Sequence, residues 1–266
     1  MAINLEHGPG YGYGSYALAG TMTVRAILFD KDGTLLDFEA TWGPLYRSLA
    51  LDLAGGDAER ASAMLVAGGL DAATGRMRSG SVLGAGTTAD IVRHWYPDLD
   101  GEAFGAMTRR IDAAFHAHGA HNSVLVPGAG EVLAELAAMD VAMGVATNDA
   151  TAAASAAVAA LGLEEYLPHV FGYDSVPHPK PAADIVLAFA AATGIDPSDI
   201  AVVGDNRFDM EMARAAGAGA AVGVLTGNSD LDDLAPYADV VLPSIRELPA
   251  WLAKRKEAAI ADPTEP

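Results

Sequence analysis

Short apolar runs alternate with helical periods along most of this chain, but residues 39–122 contain no strand-like run at all. This broken alternation restricts the fold more than any other feature. The runs are "VRAILFD" (24–30), "VAMGVAT" (141–147), "HVFGY" (169–173), "DIAVVGD" (199–205), "GAAVGVL" (219–225) and "DVVLP" (239–243). Near-continuous apolar runs of this length suit strands buried on both faces. Helical periods at 129–139, 149–161, 182–193, 207–216 and 244–253 separate them. Strands alternating with helices imply a parallel sheet covered on both sides. The expected class is α/β, a doubly wound, Rossmann-like core assembled from residues 24–38 and 126–253.

The strand-free stretch, 39–125, then reads as an inserted all-helical cap domain. Helices are expected at 39–54, 57–69, 71–78, 87–96 and 102–118, with Asp57 and Thr88 as N-caps. The Gly- and Ser-punctuated "RMRSGSVLGAG" reads as a loop between helices. Residues 1–23 include "HGPGYGYGSY", which has neither helical nor strand periodicity. They are expected to be a flexible extension, native or a cloning remnant, with Met22 as a later start. An aromatic interaction tail is the other reading. Residues 254–266 are expected to be a frayed C-terminal tail.

Charge narrows the partners. Sixteen Lys and Arg against 35 Asp and Glu give a net charge of −19. No basic footprint for nucleic acid is present, and an anionic membrane surface is disfavoured. An anionic substrate would need local positive charge or a metal ion. With no cysteine there is no disulfide, thiolate ligand or cysteine nucleophile. The chain shows no uninterrupted apolar span of bilayer length and no basic start to a secretory signal, so a cytoplasmic location is expected.

In open α/β sheets, ligands bind beyond the carboxyl ends of the strands. Three such ends carry reactive groups: Asp30 and Asp32 after the first strand, Thr147 and Asn148 after the second, and Asp205 with Asp209 at "GDNRFD". Lys180 lies between prolines in "HPKP". Singly, each has an ordinary explanation: an Asp after a strand often caps a helix, and a lone lysine is usually solvated. As an ordered set they are more specific. Clustered acids call for a hard cation, and a lysine with a threonine donor suits a phosphate dianion.

"DKDGT", "VATND", "HPKP" and "GDNRFD", in that order, resemble the four motifs of the haloacid dehalogenase-like hydrolase superfamily, most closely its phosphoglycolate-phosphatase-like branch with a helical cap. The resemblance covers roughly residues 24–245. It implies a Mg²⁺-dependent phosphatase acting on a small phosphomonoester, phosphoglycolate-like or a sugar phosphate, through an aspartyl-phosphate. It makes Asp30 the nucleophile and Asp32 the acid and then the base. Mg²⁺ would bind the Asp30 and Asp205 side chains and the Asp32 backbone carbonyl, with Asp209 supporting Asp205. Thr147, the Asn148 backbone and Lys180 would hold the phosphoryl oxygens. Phe38 stands where the family often has Ser or Thr, which bears on the cap hinge or substrate fit.

The cap contains no lysine, which argues against a Schiff-base phosphonate-cleaving relative. Arg76 and Arg78 are its best candidates for touching an acidic leaving group. Lys31, between the two acids, is expected to point away from them. "HAHGAH" (116–121) has spacings that do not share a helix face, so a solvated helix end is expected rather than a metal cluster. A phosphosugar mutase would share every core residue. A dehalogenase usually lacks the second acid, and a phospho-accepting receiver lacks both that acid and the cap. The oligomeric state is not readable.

Overall fold

The computed structural model describes residues 23–261. The expectations for residues 1–22 and 262–266 therefore lie outside the described residues. Six strands form one wholly parallel sheet: β1 (Ala26–Asp30), β2 (Ala142–Ala146), β3 (His169–Phe171), β4 (Ile200–Gly204), β5 (Ala220–Val224) and β6 (Val240–Leu242). Their order is β3-β2-β1-β4-β5-β6. The chain runs outward from β1 through β2 to β3, then returns to β1's other side and runs outward through β4 to β6. The switch point lies between β1 and β4, where a doubly wound sheet opens its ligand crevice.

Strand alternation divides the core into two layers. Ile27 and Phe29 of β1 join Val145, Val203 and Val222 on one face, while Ala26 and Leu28 join Ile200, Val202 and Ala221 on the other. Helices cover each face, so β1, β4 and β5 are buried along their whole length. This explains why their sequences, apart from the terminal Asp30 of β1, carry no charged or polar side chain rather than alternating.

Between β1 and β2 the chain forms α1 (Phe38–Leu53), α2 (Ala58–Gly68), a single turn α3 (Val82–Ala85), α4 (Thr88–Trp95) and α5 (Gly101–Asn122). These elements bury a cluster of their own, centred on Trp42, Tyr46, Leu65, Ile91, Ile111 and Phe115. The core helices are α6 (Ala129–Ala138), α7 (Thr151–Ala160), α8 (Asp184–Thr193), α9 (Arg207–Ala216), α10 (Leu231–Leu234) and α11 (Leu248–Ala261). Among the described residues no helix is long and apolar enough to cross a membrane.

Several local expectations need correction. Residues 71–78 form no helix. The Asp71 carboxylate accepts the backbone N–H groups of Ala73 and Thr74, Gly75 takes a positive φ of 72°, and Leu70 bridges to Met77. Side-chain capture of backbone donors thus competes successfully with helix formation. Within the expected loop, Ser81 caps α3 by accepting the Gly84 N–H. Thr87, not Thr88, caps α4, in a reciprocal box with Asp90. Asp57 caps α2 as expected. The helix expected to end at residue 253 continues to Ala261.

Candidate active site

β1 ends in Asp30, and the next few residues turn back tightly across the strand end. Gly33 has φ +83°, and a Cβ there would lie 2.6 Å from Asp205 Cγ. Only glycine permits both the positive φ and that approach. Thr226 donates to the Gly33 carbonyl at 2.7 Å, and the Asn228 N–H donates to Asp205 Oδ2 at 2.9 Å. The loop after β5 therefore clamps the turn after β1 against the acid after β4.

One ligand oxygen each from Asp30, Asp205 and Asp209 lies within 4.8 Å of the others, and all three residues are buried. Lys180 Nζ donates to Asp30 Oδ1 at 2.5 Å and to Asp209 Oδ1 at 2.7 Å. Asp209 also caps α9, its Oδ2 accepting the Asn206 N–H at 3.1 Å. The capping and site readings of this acid thus hold together. Asn148 accepts the Lys180 N–H at 3.2 Å and donates to the Ala85 carbonyl at 2.9 Å, joining two core loops to α3. Thr147 is buried at the end of β2, its hydroxyl accepting the Asp149 N–H at 3.1 Å.

The Asp32 carboxylate lies outside the three-acid cluster and is held from the helical insert. Trp42 Nε1 donates to its Oδ1 and Lys31 Nζ to its Oδ2, both at 2.5 Å. Lys31 does not point away from Asp32. It is 2% exposed, lies 2.9 Å from Asp149 Oδ2 and sits 4.7 Å from the centroid of the Trp42 ring. A buried ammonium needs acidic partners, and Asp32 and Asp149 are those within reach.

Burial pushes Asp30 up to about 6, with Lys180 opposing and Asp209 adding to the rise. Burial likewise pushes Asp32 up to about 6 against the pull of Lys31. Asp205 is raised by burial and then by its repulsion from Asp30 and Asp209. Burial works to lower Lys180, but Asp209 and Asp30 outweigh it and hold the ammonium charged. Three buried acids against one lysine leave negative charge uncompensated. An all-oxygen donor set of this kind fits a hard divalent cation.

Asp30, Asp32, Thr147, Asn148, Lys180, Asp205 and Asp209 line one small pocket of about 50 Å³, roofed by the helical insert. Space of that size takes a few waters or a small anion. Arg76 and Arg78 do not line it. Arg76 donates to the Gly227 carbonyl and Arg78 to the Val66 carbonyl, on a separate groove. The turn built by Asp71 and Gly75 carries them there. Of the three histidines, His116 and His121 are exposed. His118 is half-buried, donating to the Thr41 carbonyl at 2.6 Å beside the Trp42 ring, so it belongs to the cap interior.

The sequence reading missed Asp149, the 226–228 loop and the aromatic roof. The first two had a signal, since Asp149 follows "VATN" and Thr226–Asn228 follow another strand end. Trp42, Tyr46 and Phe115 had none, because aromatic residues at helical spacing read as ordinary core.

The family model for haloacid dehalogenase-like hydrolases matches residues 24–217. A phosphoglycolate phosphatase of Chromobacterium violaceum is 31% identical over 229 residues, covering 85% of this chain and 95% of the relative. An N-acetylmuramic acid 6-phosphate phosphatase of Pseudomonas putida is 28% identical over 74% of this chain and 81% of its own. The crystal structure of a predicted phosphoglycolate phosphatase from Haemophilus somnus superposes with a TM-score of 0.66 at 23% identity, over 86% of this chain and 98% of that one. With its six-stranded parallel sheet, its helical insert after β1 and its strand-end acids, the chain belongs to the haloacid dehalogenase-like hydrolase family.

Proposed function

We propose that this protein is a Mg²⁺-dependent phosphatase that hydrolyses a small phosphomonoester, phosphoglycolate-like or a sugar phosphate, through a phosphorylated Asp30. The observation that carries this reading is the meeting of Asp30, Asp205, Asp209 and Lys180 in one small buried pocket that also contains Asp32 and Thr147. Asp30 attacks phosphorus, and the ester oxygen departs with a proton from Asp32. Asp32 then takes a proton from the water that cleaves the aspartyl-phosphate. A carboxyl raised to about 6 exchanges its proton readily near neutrality, as both halves of that role require. Trp42 and Lys31 fix the orientation of the Asp32 carboxylate. Lys180, the Thr147 hydroxyl and the Asn148 backbone hold phosphoryl oxygens as charge builds on them.

Asp30, Asp205 and the Asp32 carbonyl would hold Mg²⁺, with Asp209 beside them. When bound, the cation neutralises phosphoryl charge and the acids' mutual repulsion. The relatives named above are phosphatases, which supports the reaction class. Released inorganic phosphate, measured across a panel of phosphomonoesters, is the test. Turnover should require Mg²⁺, stop with chelator, and fall at least about 10³-fold in Asp30→Asn, as when other covalent nucleophiles are removed. Wild-type rates in that variant would refute the assignment.

A further inference from the structure

The wall facing the acids comes from the helical insert and is aromatic. Phe38, Trp42, Tyr46, Leu83 and Phe115 line it. Phe38 stacks on Tyr46 at 6.2 Å, and Phe115 meets the edges of Trp42 and Tyr46 at 5.3 and 5.6 Å. The polar ends of these rings are already engaged. The Tyr46 hydroxyl donates to the Leu83 carbonyl at 2.7 Å, and the Trp42 N–H to Asp32. That leaves neither the Trp42 N–H nor the Tyr46 hydroxyl free to donate to a charged leaving group.

Among the described residues the same pocket has no cation to spare. Among the described residues no arginine lines it, and its one lysine, Lys180, bridges Asp30 and Asp209. Lys31, just behind, bridges Asp32 and Asp149. Arg110 pairs with Asp52, Arg93 lies over Phe104, and Arg76 and Arg78 face the separate groove. A carboxylate on the leaving group would enter beside Asp32 and Asp149 with no counter-charge. Beside these half-buried carboxylates that repulsion is only partly screened.

We infer that the substrate's leaving alcohol is uncharged, so that the chain discriminates against phosphomonoesters of hydroxy acids. This rests on the phosphatase reading above and selects among the substrates that reading leaves open. It also sets this chain apart from what its relatives' names describe, since phosphoglycolate and N-acetylmuramic acid 6-phosphate both carry a carboxylate.

The test compares two esters of nearly equal size, 2-hydroxyethyl phosphate and phosphoglycolate, on the full Mg²⁺-loaded chain, with released phosphate as readout. The neutral ester should have a kcat/KM at least about tenfold higher. Ala85→Lys places an ammonium at a half-buried position on the insert side of the pocket and should reduce or invert that ratio. A wild-type chain that hydrolyses phosphoglycolate as well as or better than 2-hydroxyethyl phosphate overturns the inference while leaving the phosphatase reading intact. No phosphate release from any ester in the panel overturns the phosphatase reading, and this inference with it.

Discussion

Lys31 shows how a single residue can be misread from its neighbours in sequence. An i, i+1 neighbour of two acids on an extended strand end is expected to point to the other side. Here the chain turns at Gly33, and Lys31 Nζ reaches Asp32 on one side and Asp149 on the other. Removing one partner of a buried charge network leaves the others unpaired. Lys31→Met should therefore cost about 3 kcal/mol, a fall in Tm of roughly 6–12 °C for a chain of this size. Adding Asp149→Asn should restore more than half of the loss, because the stranded charge goes with it. A Lys31→Met protein that melts like wild type would show that the pair contributes nothing. Asp30, Thr147 and Asp205 were legible as candidates because each lies in a short motif at a strand end, and Lys180 because it stands between prolines in the loop before α8. The partnership of Lys31 with Asp149 was not, because it depends on β1 and β2 lying side by side.

At the level of elements, the central strands β1, β4 and β5 were legible because full burial makes them near-continuous apolar runs, while the partly buried outer strands β3 and β6 were legible as short apolar runs between helices. The helical insert was legible because no such run interrupts it. What failed were the short pieces. Local side-chain bonds from Asp71 and Ser81 decided residues 71–86, and periodicity over so few residues carries little information. Asp37 is the element-scale feature with the clearest consequence. It caps α1, the helix that carries Phe38, Trp42 and Tyr46, by accepting the Ala40 N–H at 3.0 Å. Asp37→Ala should cost about 1 kcal/mol, seen as a Tm lower by roughly 2–4 °C. Because its carboxylate does not line the pocket, kcat should change little. A loss of activity as large as that of Asp30→Asn would mean that Asp37 does more than cap.

Across the whole molecule, the sheet gathers acids that the rest of the fold must tolerate. Asp30 and Asp32 titrate near 6 in the folded chain, above the ordinary 3.8. The folded state thus binds more protons than the unfolded one through that window. The stability these groups contribute is fully present below about 3.8 and is lost as pH rises through about 6. Near neutrality the metal-free chain keeps buried like charges together, and a divalent cation bound there would relieve them. At lower pH, protons compete for the same oxygens. The measurement that bears most directly on whether these acids form a cation site is thermal unfolding with and without Mg²⁺ across this pH range. At about pH 7.5, Mg²⁺ at 100 times its dissociation constant should stabilise the chain by about 2.7 kcal/mol, raising Tm by roughly 5–11 °C. The shift should shrink towards pH 5 and vanish in Asp205→Asn. A Tm indifferent to Mg²⁺ at every pH, or a shift undiminished in Asp205→Asn, would contradict the account.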